Sequence, residues 1–207
     1  MASDDGAFLT ALTTEHFGLA GARSTTVSES AGRSALYLAS VSSTLIALGF
    51  VAQVADETFR LFALAALPIL AFLGFATFMR VLECSIEDLF YARAIGRIRQ
   101  YYVDLAGPER RHFFMLEPGD SIQTALRNMA VQPGRLQVYL TSQAMVSVVN
   151  SAVIGAGAAI ACGALSASEE LSVAVGVVVL LVSVVAHQVY ARRRFERGVT
   201  TAEVRFP

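Results

Sequence analysis

The sequence predicts an all-α, polytopic membrane protein, with four transmembrane helices in two hairpins and helices that extend into the cytoplasm. Three observations carry this. Residues 34–55, 61–79, 136–168 and 171–191 contain no Asp, Glu, Lys or Arg, and about 20 apolar residues suffice to cross a hydrocarbon core about 30 Å thick. Only 16% of the 207 residues are charged and 55% are hydrophobic, with a mean hydropathy of +0.55, whereas soluble domains carry about 25% charge. The basic residues, finally, are sharply partitioned. All sixteen are arginine. Arg60 alone lies between the first two apolar runs, and none lies between the last two. Cytoplasmic flanks collect Arg and Lys, so both termini and the central segment are expected inside. The absence of lysine reads as the codon bias of a GC-rich bacterial genome, which makes the expected location a bacterial inner membrane.

Residues 1–34 form a cytoplasmic N-terminal segment. Ser3, followed by Asp4 and Asp5, has the chemistry of a helix N-cap. Phe8, Leu9, Leu12, His16 and Leu19 follow at helical spacing as a narrow apolar stripe. Ala20 to Ser34 is almost entirely Ala, Gly, Ser and Thr. No proline interrupts it, so a closely packed helix is expected rather than a linker. An acidic N-terminus is unlike a secretory signal, and the first spanning helix is expected to persist in the mature protein.

Residues 35–79 form the first hairpin, closed by Asp56-Glu57-Thr58-Phe59-Arg60. Tyr37, Ser40, Ser43 and Thr44 share one face of its first helix, the leading candidate for a pore lining. Such hydroxyls equally return hydrogen bonds to their own backbone. Pro68 removes a backbone donor within the second span and predicts a kink.

Residues 80–135 form a cytoplasmic helical region with eight arginines and seven acids, a balance that fits salt-bridged helices rather than a lipid tether. The second helix is expected to continue from Leu61 to Ala106, with Leu82, Ile86, Leu89, Ile98, Tyr102 and Leu105 on its apolar face. Gly107-Pro108 terminates it. Residues 109–119 read as a loop, Asp120 or Ser121 as the cap of a short helix, and Pro133-Gly134 as its end. Arg93 and Arg97 share a face that suits either a small anionic ligand or plain solvation.

Residues 136–191 form the second hairpin, and residues 192–207 a basic tail. Ser147, Ser151, Gly155, Ala159 and Gly163 recur every fourth residue, a smooth stripe that serves close helix packing within the chain or a self-association seam. Tyr139-Leu140-Thr141-Ser142 echoes Tyr37-Leu38-Ala39-Ser40, a match that chance and the interfacial preference of tyrosine explain. Arg192, Arg193 and Arg194 sit directly beneath the last span, where they suit anionic headgroups. His187, five residues earlier, is expected to hydrate at that interface.

Several function classes lose support. Cys84 and Cys162 are expected near opposite membrane faces and form neither a disulfide nor a metal cluster. No nucleophile, zinc or phosphate-loop motif is present, so neither enzyme activity nor a cofactor is expected. A net charge of −1 does not favour nucleic acid. No span carries a charge at depth, which argues against ion-coupled transport and voltage sensing.

The short acidic turn followed by a long helix through Ala92-Arg93-Ala94-Ile95-Gly96-Arg97-Ile98-Arg99-Gln100-Tyr101-Tyr102 resembles small bacterial membrane proteins of the SLATT type. The resemblance covers residues 35–105; the second hairpin departs from that pattern. It implies a pore-forming effector linked to nucleotide-signalled defence and assigns no individual residue. The leading expectation is thus a homo-oligomeric channel or pore-like protein with a cytoplasmic gating layer. The rival is a non-conducting scaffold that recruits a cytoplasmic protein. Expected partners are the bilayer, further copies of the chain, and a cytoplasmic protein or small anion.

Overall fold

The computed structural model describes residues 2–130, 141–165 and 167–204, with side chains from residue 5 to residue 198 of that set. Five α-helices and no strand occur among them: α1 Ala2–Val51, α2 Asp56–Ala106, α3 Ile122–Asn128, α4 Ser142–Ala164 and α5 Glu169–Val204. A short 3₁₀ helix spans Pro108–Phe113. The chain is all-α, and four helices, α1, α2, α4 and α5, are long and apolar enough to cross a membrane. At most 33% of any spanning window is buried. Phe72 is 73% exposed and Leu36 71% exposed, as lipid-facing residues are in a protein whose solvent is hydrocarbon.

The helix ends follow local chemistry. Asp56 and Glu57 open α2, and Glu169 and Glu170 open α5, where carboxylates meet the positive end of the helix dipole. The acidic turns are therefore also helix starts. Ser168 Oγ accepts from Leu171 N, Thr141 Oγ1 accepts from Ala144 N, and Ser121 Oγ accepts from Thr124 N, each an N-cap bond. Gly107, at φ 77°, ends α2 where Gly107-Pro108 predicts, and α1 runs unbroken through Ala20–Ser34. Helix α2 continues through Pro68.

Several details differ from expectation. α1 already includes Ala2, so Ser3 lies inside the helix rather than capping it. Ala39 and Ser40 lie within α1, whereas Thr141 caps α4 and Ser142 is its first residue, so these two pairs of positions are not equivalent in structure. The expected turn at Pro133-Gly134, helix start near Leu136, and Tyr139-Leu140 lie outside the described residues.

Two compact units are present. The charged unit comprises Met1–Glu29 with Glu83–Gln137, and the apolar unit comprises Ser30–Leu82 with Val138–Pro207. In the charged unit, Leu9, Leu12, His16, Leu19, Arg23 and Thr26 form the covered face of α1 at alternating spacings of three and four, the period of a helix packed lengthwise on another. Its core includes Leu89, Ile95, Ile98 and Val103 from α2 and Ala125 from α3. Leu105 is 61% exposed and leaves the expected apolar face. Phe8 is likewise exposed but sets its ring edge-on to Tyr101, centroids 5.5 Å apart.

In the apolar unit, α4 and α5 lie in direct contact. A Cβ added at Gly155 would sit 2.7 Å from the Gly176 carbonyl oxygen and 2.8 Å from Leu180 Cβ. Only glycine permits that approach, which is how small residues build helix pairs in lipid.

Candidate functional site

The apolar unit holds a buried polar cluster. Tyr37 from α1 and Asn150 and Ser151 from α4 are 1% exposed or less. The Ala71 carbonyl can only accept, so the Asn150 amide nitrogen faces it. In that orientation the nitrogen donates to Ala71 O and to Tyr37 Oη, both at 3.1 Å, and the amide oxygen accepts from Phe75 N at 3.3 Å. Gly74 makes this possible, because any Cβ there would collide with the Asn150 amide and the Tyr37 hydroxyl. One amide thus satisfies itself against a backbone notch on α2 and a side chain on α1. Unsatisfied polar groups in hydrocarbon cost several kcal/mol, so this cluster fixes which faces of three helices meet.

A second polar string joins α4 to α5. Ser151 Oγ donates to Ser183 Oγ at 3.0 Å. His187 Nδ1 lies 2.8 Å from Ser183 O; a carbonyl only accepts, so the ring proton sits on Nδ1. His187 is 8% exposed, with Phe78 edge-on at 4.7 Å. The expected hydrated interfacial histidine is instead packed among helices. Ser183 Oγ is 3.4 Å from the same Nδ1, but a protonated Nδ1 cannot take that hydroxyl's proton, so the pair is not a poised nucleophile and base. Among the described residues, Ser147 Oγ and His187 Nε2 are buried without a hydrogen-bond partner.

The candidate pore residues part company here. Tyr37 is enclosed with Asn150. Ser40 and Thr44 donate to the Leu36 and Ser40 carbonyls of their own helix. Ser43 is exposed beside Ser42. The small-residue stripe faces α5: Ser151 meets Ser183, Gly155 and Ala159 meet Gly176, and Gly163 meets Ser172.

The charged unit engages both candidate anion-binding arginines internally. Arg93 Nε donates to Asp120 O at 2.8 Å, and Arg97 donates from two nitrogens to the Asp120 carboxylate. Arg97 holds that carboxyl below its ordinary range. Together they pin the chain where Gly119 N donates to Gly96 O at 3.1 Å. A Cβ at Gly96 would run into the Gly119 carbonyl, so Gly96 is a backbone crossing point. Arg192 pairs with Glu196 at 2.9 Å, and Arg193 and Arg194 are exposed.

A different set of charges meets between α1 and α2. Arg23 pairs with Asp88, Nε to Oδ1 at 2.7 Å and Nη2 to Oδ2 at 3.4 Å. Burial first, then the Arg23 charge, lowers the proton affinity of Arg99; burial, then Arg99, lowers that of His16. The His16 ring lies 6.2 Å from that of Tyr102, whose hydroxyl donates to Thr13 Oγ1 at 3.3 Å. Periodicity alone did not reveal this set, because it tells which face a residue occupies but not which residue stands opposite. Beneath the 3₁₀ helix lies an open cleft of about 450 Å³ that includes Val103, Arg111, Phe114 and Glu117. No metal-binding group of His, Cys, Asp or Glu occurs among the described residues.

Comparison with protein-family models, with curated proteins and with solved structures gives no match to this chain.

Proposed function

We propose that the protein is a homo-oligomeric membrane conduit, built between protomers rather than within one. The observation that carries this reading is the pair Ser42 and Ser43. Away from the helix ends, they are the exposed serine and threonine hydroxyls of the charge-free runs among the described residues, on a largely apolar surface. They lie near the middle of residues 34–55. Tyr37, Ser147, Asn150, Ser151 and His187 are buried, and Ser40 and Thr44 turn back onto their own helix. Each chain's interior is closed by Asn150 in its notch and by the Gly155–Gly176 contact, so a path needs a shared axis lined by α1. An exposed serine at mid-depth is better covered by another protein surface than by lipid.

Native mass spectrometry in nanodiscs, followed by dye and ion flux in liposomes, tests this. A closed ring of four or more chains is expected, with flux that Ser43→Leu lowers by at least tenfold. A monomer without flux overturns it. A second reading, a scaffold recruiting a cytoplasmic protein, is favoured by Phe113 and Met115, which are 75% and 97% exposed. It predicts flux-free liposomes and a partner lost on Phe113→Ser with Met115→Ser.

A further inference from the structure

We infer that the charged unit binds a small phosphate-bearing anion between α1 and α2, with Arg99 as its principal contact and Arg23 and His16 flanking it. The inference goes beyond the conduit reading and stands or falls without it.

The placement follows from two fixed points. Arg23 meets Asp88, and His16 meets Tyr102. His16 and Arg23 are seven residues apart and therefore share one face of α1; Asp88 and Arg99 are eleven apart and share one face of α2. Arg99 is thus bracketed between the two contacts, on the face that looks at α1. The stretch of α1 spanned by those contacts is Phe17-Gly18-Leu19-Ala20-Gly21-Ala22, which offers no side-chain acceptor.

The acids paired nearby leave none to Arg99. Asp88 is taken by Arg23, and Asp120 is taken by Arg93 and Arg97. No carboxylate lies on α2 between Asp88 and Arg99, and Glu15 points to solvent. Among the described residues Arg99 has no ion-pair or hydrogen-bond partner, and His16 Nδ1 is buried without one. A half-buried guanidinium that faces a neighbouring helix without an acceptor is stabilised by a further anion. The planar fork of arginine suits phosphate oxygens. Access is open: the Arg23 side chain is 33% exposed, and a Cβ at Gly18 or Gly21 meets nothing within 4 Å.

The source is either a free phosphate compound or a lipid headgroup, and the two are separable. The full chain in phosphatidylcholine nanodiscs is titrated with inorganic pyrophosphate, against sodium chloride at matched ionic strength, with thermal midpoint and calorimetric Kd as readouts. The same chain in phosphatidylglycerol nanodiscs is melted without pyrophosphate. Expected is a stabilisation in one arm that Arg99→Gln weakens about tenfold, the cost of one strong contact, and that Arg110→Gln, at an exposed arginine of the same unit, leaves intact. The responding arm names the source. Ala20→Glu, at an exposed position between His16 and Arg23, should supply an internal carboxylate and abolish the response without removing any native group. That variant keeps the test decisive if Arg99→Gln misfolds. No stabilisation in either arm, or one equal in wild type, Arg99→Gln and Ala20→Glu, overturns the site.

Discussion

At the scale of single residues, the molecule depends on a few polar atoms placed where water is absent. Asn150 meets Tyr37, Ala71 and Phe75 from one amide. Interhelical hydrogen bonds in bilayers contribute about 0.6 kcal/mol each, at most about 1.7, so Asn150→Leu should cost about 1–2 kcal/mol of bundle stability. Gly74→Ala should cost as much without touching a polar group, because its Cβ collides with the same amide. Denaturant-induced unfolding in mixed micelles measures both; a neutral Gly74→Ala would mean that the notch is not closed. His16 gives a pH-dependent counterpart. Burial and Arg99 lower its proton affinity from the usual 6.5, so folding favours the neutral ring. The stability this confers is complete above about pH 6.5 and is lost as pH falls through the lower, folded-state value. Thermal midpoints taken from pH 7.5 down to 5 should therefore decline, and His16→Gln should flatten that decline.

At the scale of elements, helices announce themselves and their partners do not. The charge-free runs, the Gly107-Pro108 stop, the Ser121 cap and the continuity of Ala20–Ser34 were all legible, because each is a local consequence of side-chain chemistry. The Tyr37–Asn150 bond spans 113 positions, and nothing local marks either residue as the other's partner. Asp120 was legible as a cap candidate, yet Ser121 caps α3 while Asp120 closes onto Arg93 and Arg97. The same limit governs the fourfold stripe: its spacing marks a smooth face, and only the fold shows that α5 covers it. Gly155→Val tests that seam. Its branched side chain would drive into Gly176 and Leu180, and overpacking of this kind costs about 1–3 kcal/mol. Loss of α4–α5 cross-linking between cysteines at Gly163 and Ser172, where a Cβ added at Gly163 would lie 3.5 Å from Ser172 Oγ, would report it.

At the scale of the whole molecule, the arginine partition makes a directional prediction. On a background lacking Cys84 and Cys162, single cysteines at Glu57 and Ser168 should react with a membrane-impermeant maleimide from outside intact cells. One at Glu109 should react only after lysis. The reverse pattern would invert the topology and move the charged unit to the other side of the membrane.

The Gly74 notch also bears on biogenesis. Ribosomes make the chain from its N-terminus, so α1 and α2 are complete before Asn150 is synthesised. The receptor for that amide is therefore made before its ligand. Made alone, the second hairpin would present Asn150, Ser147 and His187 to lipid and become a substrate for membrane quality control. Co-expressed with residues 1–130 as a separate polypeptide, it should escape degradation, and Gly74→Leu in that first fragment should abolish the rescue.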